Sequence, residues 1–374
     1  MPNPLDDEAN PAEMLPDPSI TQEIFHQWSS PRFGQGNPER MNNPVWEWLV
    51  RSRINAYSAA IQFNEASALE AGPGWCFDRF GQSSTVLPDG RVVLIAGEHE
   101  DHYDPDFKIY NDVVILHPDG KIDILGYPPE VFPPTDFHTA TQAGNRIIII
   151  GSLGYLEQRK PRTTPVAVLD LETFAISLVD TSGRSPGWLH SHTAELAGDG
   201  SSILVQGGKL YCGQEFKGFQ ENNDDWKLHL ADWRWEQVTH RCWPCWLFAR
   251  KDGNNNHIAG IRMAKMARDA GLEEALRETI DTLTAGCGPA FDFSLLARLY
   301  RPALPHTDIG QDEKEANIHR ISVDGVIIRY IEEASSLQMI VEGDLSQESQ
   351  DALVSDLVSK LSALENDVTE AVRV

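Results

Sequence analysis

The chain has 374 residues, of which 41% are hydrophobic and 9% aromatic, which suggests two domains or one repeat domain with an appendage. It carries 31 Lys and Arg against 56 Asp and Glu, a formal net charge of −25. This excludes a general nucleic-acid binder, which needs a basic face, and argues against docking on a membrane of anionic lipid. Small molecules, neutral proteins and basic proteins remain as partners, and long-range attraction favours the basic proteins.

Residues 1–30 predict a disordered, acidic, proline-rich tail, because they contain six acidic residues, five prolines and no Lys or Arg. The start of the chain lacks the basic and apolar regions of a secretory signal, and no apolar run approaches the roughly 18 to 20 residues of a membrane span. Five sparse cysteines, an odd number, suggest a reducing environment without a disulfide framework. We therefore expect a soluble, cytoplasmic protein.

Residues 43–70 predict one packing helix of about five turns. Asn43 is a candidate N-cap, Pro44 suits the first helical position, and apolar residues recur at helical spacing as far as Phe63. The run Ala71-Gly72-Pro73-Gly74 ends the pattern.

Residues 75–246 contain three similar units of short β-strands and turns. Taking Gly81, His138 and His192 as equivalent positions, each unit begins with a hairpin and continues, after a polar loop, into a second hairpin. The second hairpins cover residues 109–125, 165–179 and 222–238. Four strands per unit, with a glycine closing the second strand, predict three propeller blades.

The third unit resembles the kelch repeat, because Gly207-Gly208 is followed by Asn223-Asp224, Trp226 and Trp233. In the other units Ala96-Gly97 and Gly151 replace the double glycine. The resemblance implies a kelch-like β-propeller, of a bacterial type, that binds through the loops of one face. We expect a mainly β fold with helical flanks, a propeller or partial propeller of about three recognisable four-stranded blades.

Three blades are fewer than a closed propeller usually has. Divergent blades, pairing of two chains as a homo-oligomer, or helices covering the open sheet edges would each complete the structure, and we favour helices at residues 43–70 and 254–285. Residues 254–310 predict a helical segment and a loop. Residues 314–374 predict a small C-terminal α+β unit of βββα type, with three strands that need the helix to form a core.

One candidate binding site is the acidic loop at residues 97–107, which follows the second strand of the first blade. Such ligands could hold a divalent cation, but the spacing matches no established metal motif, so we expect no metal and favour a protein-contact loop. Its candidate binding residues are Glu98, His99, Glu100, Asp101, His102 and Asp104.

A second candidate site comprises His138 and His192, with Glu195 as a nearby carboxylate. Equivalent innermost positions of radiating blades lie near one another, where a substrate could bind between them. Alternatively, each histidine is half-buried and sets the packing of its blade. If the protein is an enzyme, these three residues are the catalytic candidates.

Tryptophans and cysteines cluster at the end of the third unit. Alternation places Trp233 and Trp235 on one face of a strand, where they either fill the wedge between blades or form a recognition surface. Cys242 and Cys245 form a C-x-x-C without a second pair, which favours structural cysteines over a zinc site.

No nucleotide-binding or serine-hydrolase motif is present, and no cofactor is predicted. The preferred hypothesis is a protein-interaction module that uses its propeller-face loops to neutralise or scaffold a partner. An immunity protein against a cationic toxin is a specific form of it. The alternative is a carbohydrate-acting enzyme, similar to sugar epimerases or mutarotases, with its site at the propeller centre.

Overall fold

The computed structural model describes residues 15–65, 72–101, 104–213, 218–272, 292–311 and 317–374, together with residues 274, 277, 280 and 281. For residues 100, 101, 104–106 and 218 it describes the backbone alone. The fold is mainly β, with several antiparallel sheets and few helices. The chain divides into two compact units, Met1–His240 and Arg241–Val374.

The N-terminal unit begins with three short helices, each started by a side-chain cap: Gln22–Trp28 (α1), Pro44–Ser52 (α2) and Ala56–Gln62 (α3). The single helix predicted over residues 43–70 is therefore two. Arg53 adopts a left-handed conformation (φ 54°) that ends α2, and Asn55 accepts a hydrogen bond from Ser58 N–H to start α3.

Part of the predicted disordered tail is ordered. Composition predicts disorder over residues 1–30, yet Ile20 and Phe25 are buried in the same core as α2 and α3. The Phe25 ring stacks on Phe63 with centroids 4.4 Å apart. Residues 1–14 lie outside the described residues, so the prediction is untested there and wrong for α1.

Three antiparallel sheets follow, and each contains four strands in sequence order. The first sheet also includes an N-terminal strand, Glu39–Arg40 (β1), which pairs with its last strand at Leu125 and Gly126. Two further hairpins interrupt the first and third sheets. The strands of the first sheet and its hairpin are Ser83–Val86 (β2), Val92–Ile95 (β3), Glu98–Asp101 (β4), Asp104–Ile109 (β5), Val113–Leu116 (β6) and Ile122–Gly126 (β7), where β4 and β5 form the hairpin.

The second and third sheets repeat this meander. The second sheet consists of Thr139–Ala143 (β8), Arg146–Ile150 (β9), Val166–Asp170 (β10) and Ile176–Leu178 (β11), with a short 3₁₀ helix at Leu156–Gln158. The third consists of Thr193–Leu196 (β13), Ser202–Gln206 (β14), Trp226–His229 (β17) and Arg234–Gln237 (β18). A separate three-stranded sheet contains Trp188–His190 (β12), Lys209–Gly213 (β15) and Gly218–Glu221 (β16).

The sheets pack face to face in one row because alternate residues of each buried strand point to opposite sides. In the first sheet, Val92 and Leu94 pack against α1–α3, whereas Val93 and Ile95 pack against the second sheet. In the second sheet, Ile147 and Ile149 face the first sheet, while the residues that alternate with them, such as Ile148, face the third. The N-terminal helices therefore cover the outer face of the first sheet, whereas the sequence predicted that they would cover a sheet edge.

The outer face of the third sheet is mostly polar. Its inner face carries Ile203, Val205, Trp226, Leu228 and Trp235 in the core shared with the second sheet. The alternate residues include Glu195, Lys227 and Glu236, and Lys227 pairs directly with Glu236 across β17 and β18. Charged residues on this face limit edge-to-edge and face-to-face association, and this outer face carries few apolar side chains of its own.

The C-terminal unit is a six-stranded sheet with helices against one face. Its strands are Cys245–Arg250 (β19), Thr307–Gln311 (β20), Ile318–Val323 (β21), Val326–Glu332 (β22), Leu337–Glu342 (β23) and Thr369–Arg373 (β24), in the order β20-β21-β22-β23-β19-β24. Its helices are Ile258–Ala270 (α4), Phe293–Leu296 (α5) and Gln347–Glu365 (α6). The predicted βββα element is present as β21, β22, β23 and α6.

Three strands of this sheet differ from the sequence prediction. The predicted propeller segment, residues 75–246, includes Cys245 and Trp246, but the strand Cys245–Arg250 pairs with β23 and β24. The predicted capping role of residues 254–285 is also incorrect for α4, because Ile258 and Ile261 pack in the core of this unit's own sheet. Hydrophobic periodicity identified these elements but could not show which sheet would receive them.

Candidate functional site

A repeated backbone contact joins the three four-stranded sheets just before the first strand of each sheet. Gly81, Phe137 and Ser191 precede β2, β8 and β13 and all have positive φ angles, of 61°, 48° and 54°. Phe137 N–H donates to Gly81 O (2.9 Å), and Ser191 N–H donates to Phe137 O (2.8 Å). These three residues are the equivalent positions, so the alignment of Gly81 with His138 and His192 is wrong by one residue.

His138 and His192 each bridge to the preceding sheet. Ser83 Oγ hydrogen-bonds His138 Nε2 (2.8 Å), and Thr139 Oγ1 hydrogen-bonds His192 Nε2 (2.9 Å). Both histidines are buried. Burial lowers the pKa of His138 to about 3 and that of His192 to about 4, so both rings are neutral at physiological pH. They act in packing between sheets, which is the alternative that the sequence left open.

The third member of the predicted catalytic set is not joined to them. Glu195 is exposed on β13, two residues beyond the start of the strand, and its backbone partner is Leu204. Within the described residues, the recorded partners of the imidazole Nε2 atoms are hydroxyl groups, with no carboxylate among them. The arrangement therefore lacks the carboxylate-histidine contact that an acid-base pair needs.

The connections between the second and third strands of each sheet lie at the same strand ends of the three sheets, along one side of the row. They are the β4–β5 hairpin, residues 152–164, and the β15–β16 hairpin, and we call their combined surface the connection surface. Ile109 N–H donates to the Tyr155 hydroxyl (2.9 Å), which joins the first connection to the second. The Arg159 guanidinium lies over Tyr211 and Phe219, which joins the second connection to the third.

Arg159 is at the centre of the connection surface. Its Nε donates to Leu153 O (3.0 Å), and its Nη2 donates to Gly154 O (2.9 Å). Its carbon Cζ lies 5.6 Å from the Tyr211 ring centroid and 5.2 Å from that of Phe219. Partial burial lowers the pKa of Arg159, although the guanidinium remains charged at physiological pH.

The buried carboxyl group of Asp136 binds the loop that contains Arg159. Asp136 is fully buried, and its Oδ1 accepts a hydrogen bond from Gly154 N–H (2.6 Å) and a longer one from Ser152 Oγ (3.4 Å). Burial raises the pKa of Asp136, despite these bonds and the nearby Arg159 charge. Asp136 therefore fixes the backbone whose carbonyls hold the guanidinium.

His190 lies beside this cluster, with its ring centroid 4.9 Å from Phe219 and 6.5 Å from Phe137. Burial, reinforced by the Lys209 and Arg159 charges, lowers the pKa of His190 to about 3. The cluster thus presents a permanent cation among aromatic rings and a neutral histidine, a composition typical of protein-contact surfaces.

The acidic loop forms the β4–β5 hairpin of the connection surface. Glu98 pairs through its backbone with Phe80, and His99 Nδ1 lies 3.3 Å from Asp78 O. His102 and the side chains of Glu100, Asp101 and Asp104 lie outside the described residues. The structure therefore gives the backbone of most of the predicted contact loop, and the binding role of its acidic side chains stays a prediction.

Trp233 and Trp235 do not share a face of one strand. Trp233 is in the turn before β18 with a φ of 55°, and its ring lies 5.9 Å from the Arg146 guanidinium. Trp235 is 2% exposed and belongs to the core between the second and third sheets. The binding role predicted for Trp235 is incorrect, because a side chain buried to this degree cannot meet a partner.

None of the cysteines of the described residues forms a disulfide, and Cys242 is exposed while Cys245 is partly buried at the start of β19. Within the same residues, no group of three or more His, Cys, Asp or Glu side chains could hold a metal ion. The described helices include none that is long and apolar enough to cross a membrane.

Sequence reasoning missed Tyr155, Arg159, Tyr211 and Phe219. It concentrated on the acidic first connection and did not treat the other two as parts of the same surface. One signal was present, since three basic residues occur within residues 159–162 of a strongly acidic chain. The aromatic residues of the third connection, Tyr211 and Phe219, have no motif that links them to the second connection.

Comparison with known protein families finds no match, and no curated protein matches the chain. Among solved structures, that of YjhT aligns with 12% sequence identity and a TM-score of 0.32. The alignment covers 46% of this chain and 56% of YjhT, so it spans about half the length of that protein.

Proposed function

We propose that the chain is a kelch-like partial β-propeller that acts in the cytoplasm as a protein-interaction module. The partner binds to the connection surface, and the module neutralises or scaffolds it. One observation carries the proposal: the connections of three successive sheets contact one another along one side of the row, through Tyr155 and Arg159. Loops held on a rigid sheet scaffold are the usual place for recognition.

The alternative of a carbohydrate-acting enzyme has less support. Its candidate residues His138 and His192 are buried, neutral and bonded to hydroxyl groups. Glu195 is exposed and contacts neither ring within the described structure. The connection surface, by contrast, has partly exposed aromatic side chains around a fixed arginine, which suit contact with another protein.

The test is photo-crosslinking in the native cell. Tyr211→p-benzoylphenylalanine places the crosslinker on the connection surface, and Asp119→p-benzoylphenylalanine places it on the β6–β7 turn at the other end of the first sheet. We expect a covalent adduct with a defined protein from the first variant and none from the second. Equal adducts from both, or none from the Tyr211 variant, would refute the proposal.

A further inference from the structure

The Arg159 guanidinium is held in one orientation before any partner arrives. The Leu153 carbonyl that accepts its Nε–H also accepts Trp188 Nε1–H (3.1 Å), and Leu153 N–H donates to Asp136 O (3.0 Å). Gly154, the other acceptor, donates its N–H to Asp136 Oδ1. Because both carbonyls are fixed by buried partners, binding costs little further ordering of this long side chain.

One edge of the same guanidinium is open. Nε and Nη2 have carbonyl partners, whereas Nη1 has no hydrogen-bond partner in the described part of the chain. Tyr211 and Phe219 lie against the guanidinium, and the side chain is only partly exposed. The open edge therefore comprises Nη1 and the second hydrogen of Nη2, which is the fork that matches two carboxylate oxygens.

Both cationic and acidic groups act in the neighbourhood of this guanidinium. Lys209 and Arg159 both act on His190, so the two cations lie in the same neighbourhood. Glu157, from the same connection, and Asp136, from the segment before β8, both act on the Arg159 charge, but neither forms an ion pair with it within the described residues. Asp136 is already engaged with Gly154 N–H, so no carboxylate of the described residues is bound to the guanidinium.

We infer that Arg159 receives an acidic side chain of the protein partner. The inference rests on the proposed function and specifies the partner's chemistry: an aspartate or glutamate on the Nη1–Nη2 edge, beside an apolar residue against Phe219. It differs from the expectation of a basic partner, which was based on the net charge and the acidic hairpin. Long-range repulsion from the net charge of −25 is screened within about 8 Å at physiological salt, so the short contact decides.

The probe is an N-acetylated hexaglutamate amide, compared with the matched hexaglutamine, measured by calorimetry on the full chain at physiological salt. We expect the wild-type chain to bind hexaglutamate at least about tenfold more tightly, since a hydrogen bond to a charged group contributes about 1.5 to 3 kcal/mol. Arg159→Gln should remove this preference. Arg162→Gln, an exposed arginine in the same connection, is the control and should keep it.

Equal binding of the two peptides by the wild-type chain overturns the inference. So does equal loss of preference in Arg162→Gln and Arg159→Gln, because general charge would then explain the binding. The crosslinking experiment separates the two proposals: an adduct at Tyr211 together with no glutamate preference refutes only the Arg159 role. No adduct together with a preference refutes the interaction module and leaves a carboxylate site.

Discussion

Thr139 Oγ1 lies 2.9 Å from His192 Nε2, and the two residues belong to neighbouring sheets. Ser83 and His138 make the same contact one sheet earlier. In both cases, a hydroxyl at the start of the first strand of one sheet thus binds the imidazole that precedes the first strand of the next sheet. This contact and the backbone ladder through Gly81, Phe137 and Ser191 fix the spacing of the three sheets.

Thr139→Val should destabilise the N-terminal unit by about 1 to 3 kcal/mol. The substitution keeps the shape of the side chain but leaves the buried His192 Nε2 without a partner. Thr193→Val is the matched control, since Thr193 is the equivalent residue of the third sheet and is exposed. Urea unfolding measures both variants, and an equal loss of stability would contradict the role of the inter-sheet bond.

Stability should fall as the pH is lowered from about 6.5 toward 4. In the folded chain, burial holds the pKa of His192 at about 4 and those of His138 and His190 at about 3, below the usual 6.5. Between these values the unfolded chain binds more protons than the folded one, so the free energy of unfolding decreases with decreasing pH. Burial raises the pKa of Asp136, which opposes this trend, but Asp136 is one group against three histidines.

The pH effect is measured by urea unfolding at a series of pH values. His192→Gln should show a shallower decline between pH 6.5 and 4 than the wild-type chain, because one titrating group is removed. An unchanged slope would show that His192 does not contribute.

Asp112→Leu should destabilise the N-terminal unit by about 3 to 5 kcal/mol. Asp112 pairs with Arg79, whose side chain is 0% exposed, and it also accepts Trp75 Nε1–H (2.7 Å). The substitution leaves a buried guanidinium without its counter-ion. Asp232→Asn, which affects the exposed pair with Arg234, should cost less than about 1 kcal/mol. Comparable losses in the two variants would show that burial does not govern these ion pairs.

The double variant Lys227→Val, Glu236→Val should self-associate. Both residues lie on the outer face of the third sheet and pair across β17 and β18. Replacing them with valine makes that face apolar beside Leu204 and exposes a surface that favours contact with a second copy. Sedimentation velocity over a range of concentrations measures the effect, with Glu172→Val in the β10–β11 turn as the control. A concentration-independent monomer would contradict the role of the polar face.

Local signals in the sequence were sufficient for the hairpins and for the three four-stranded sheets. Turns such as Asp89-Gly90 and alternating apolar residues determine these elements within a few neighbouring positions. The sequence did not predict the register of the repeats. Phe137 and Ser191 adopt the same left-handed conformation as Gly81 without being glycine, so the residue type did not identify them as its equivalents.

The remaining differences between the sequence prediction and the structure come from pairing between segments far apart in the chain. Nothing near Cys245–Arg250 shows that it pairs with β24, whose residues lie more than a hundred positions later in the chain. The candidate site had the same difficulty, since Tyr155, Arg159 and Tyr211 come from connections of different sheets and have no shared motif. Burial likewise decided between two readings of Trp235 that its sequence context left open.

The row of sheets has a helical end at α1–α3 and a charged end at β17–β18. Each sheet depends mainly on its immediate neighbours, as in linear repeat proteins. The helical end can therefore serve as the starting point for folding, from which sheets are added in chain order as each is synthesised.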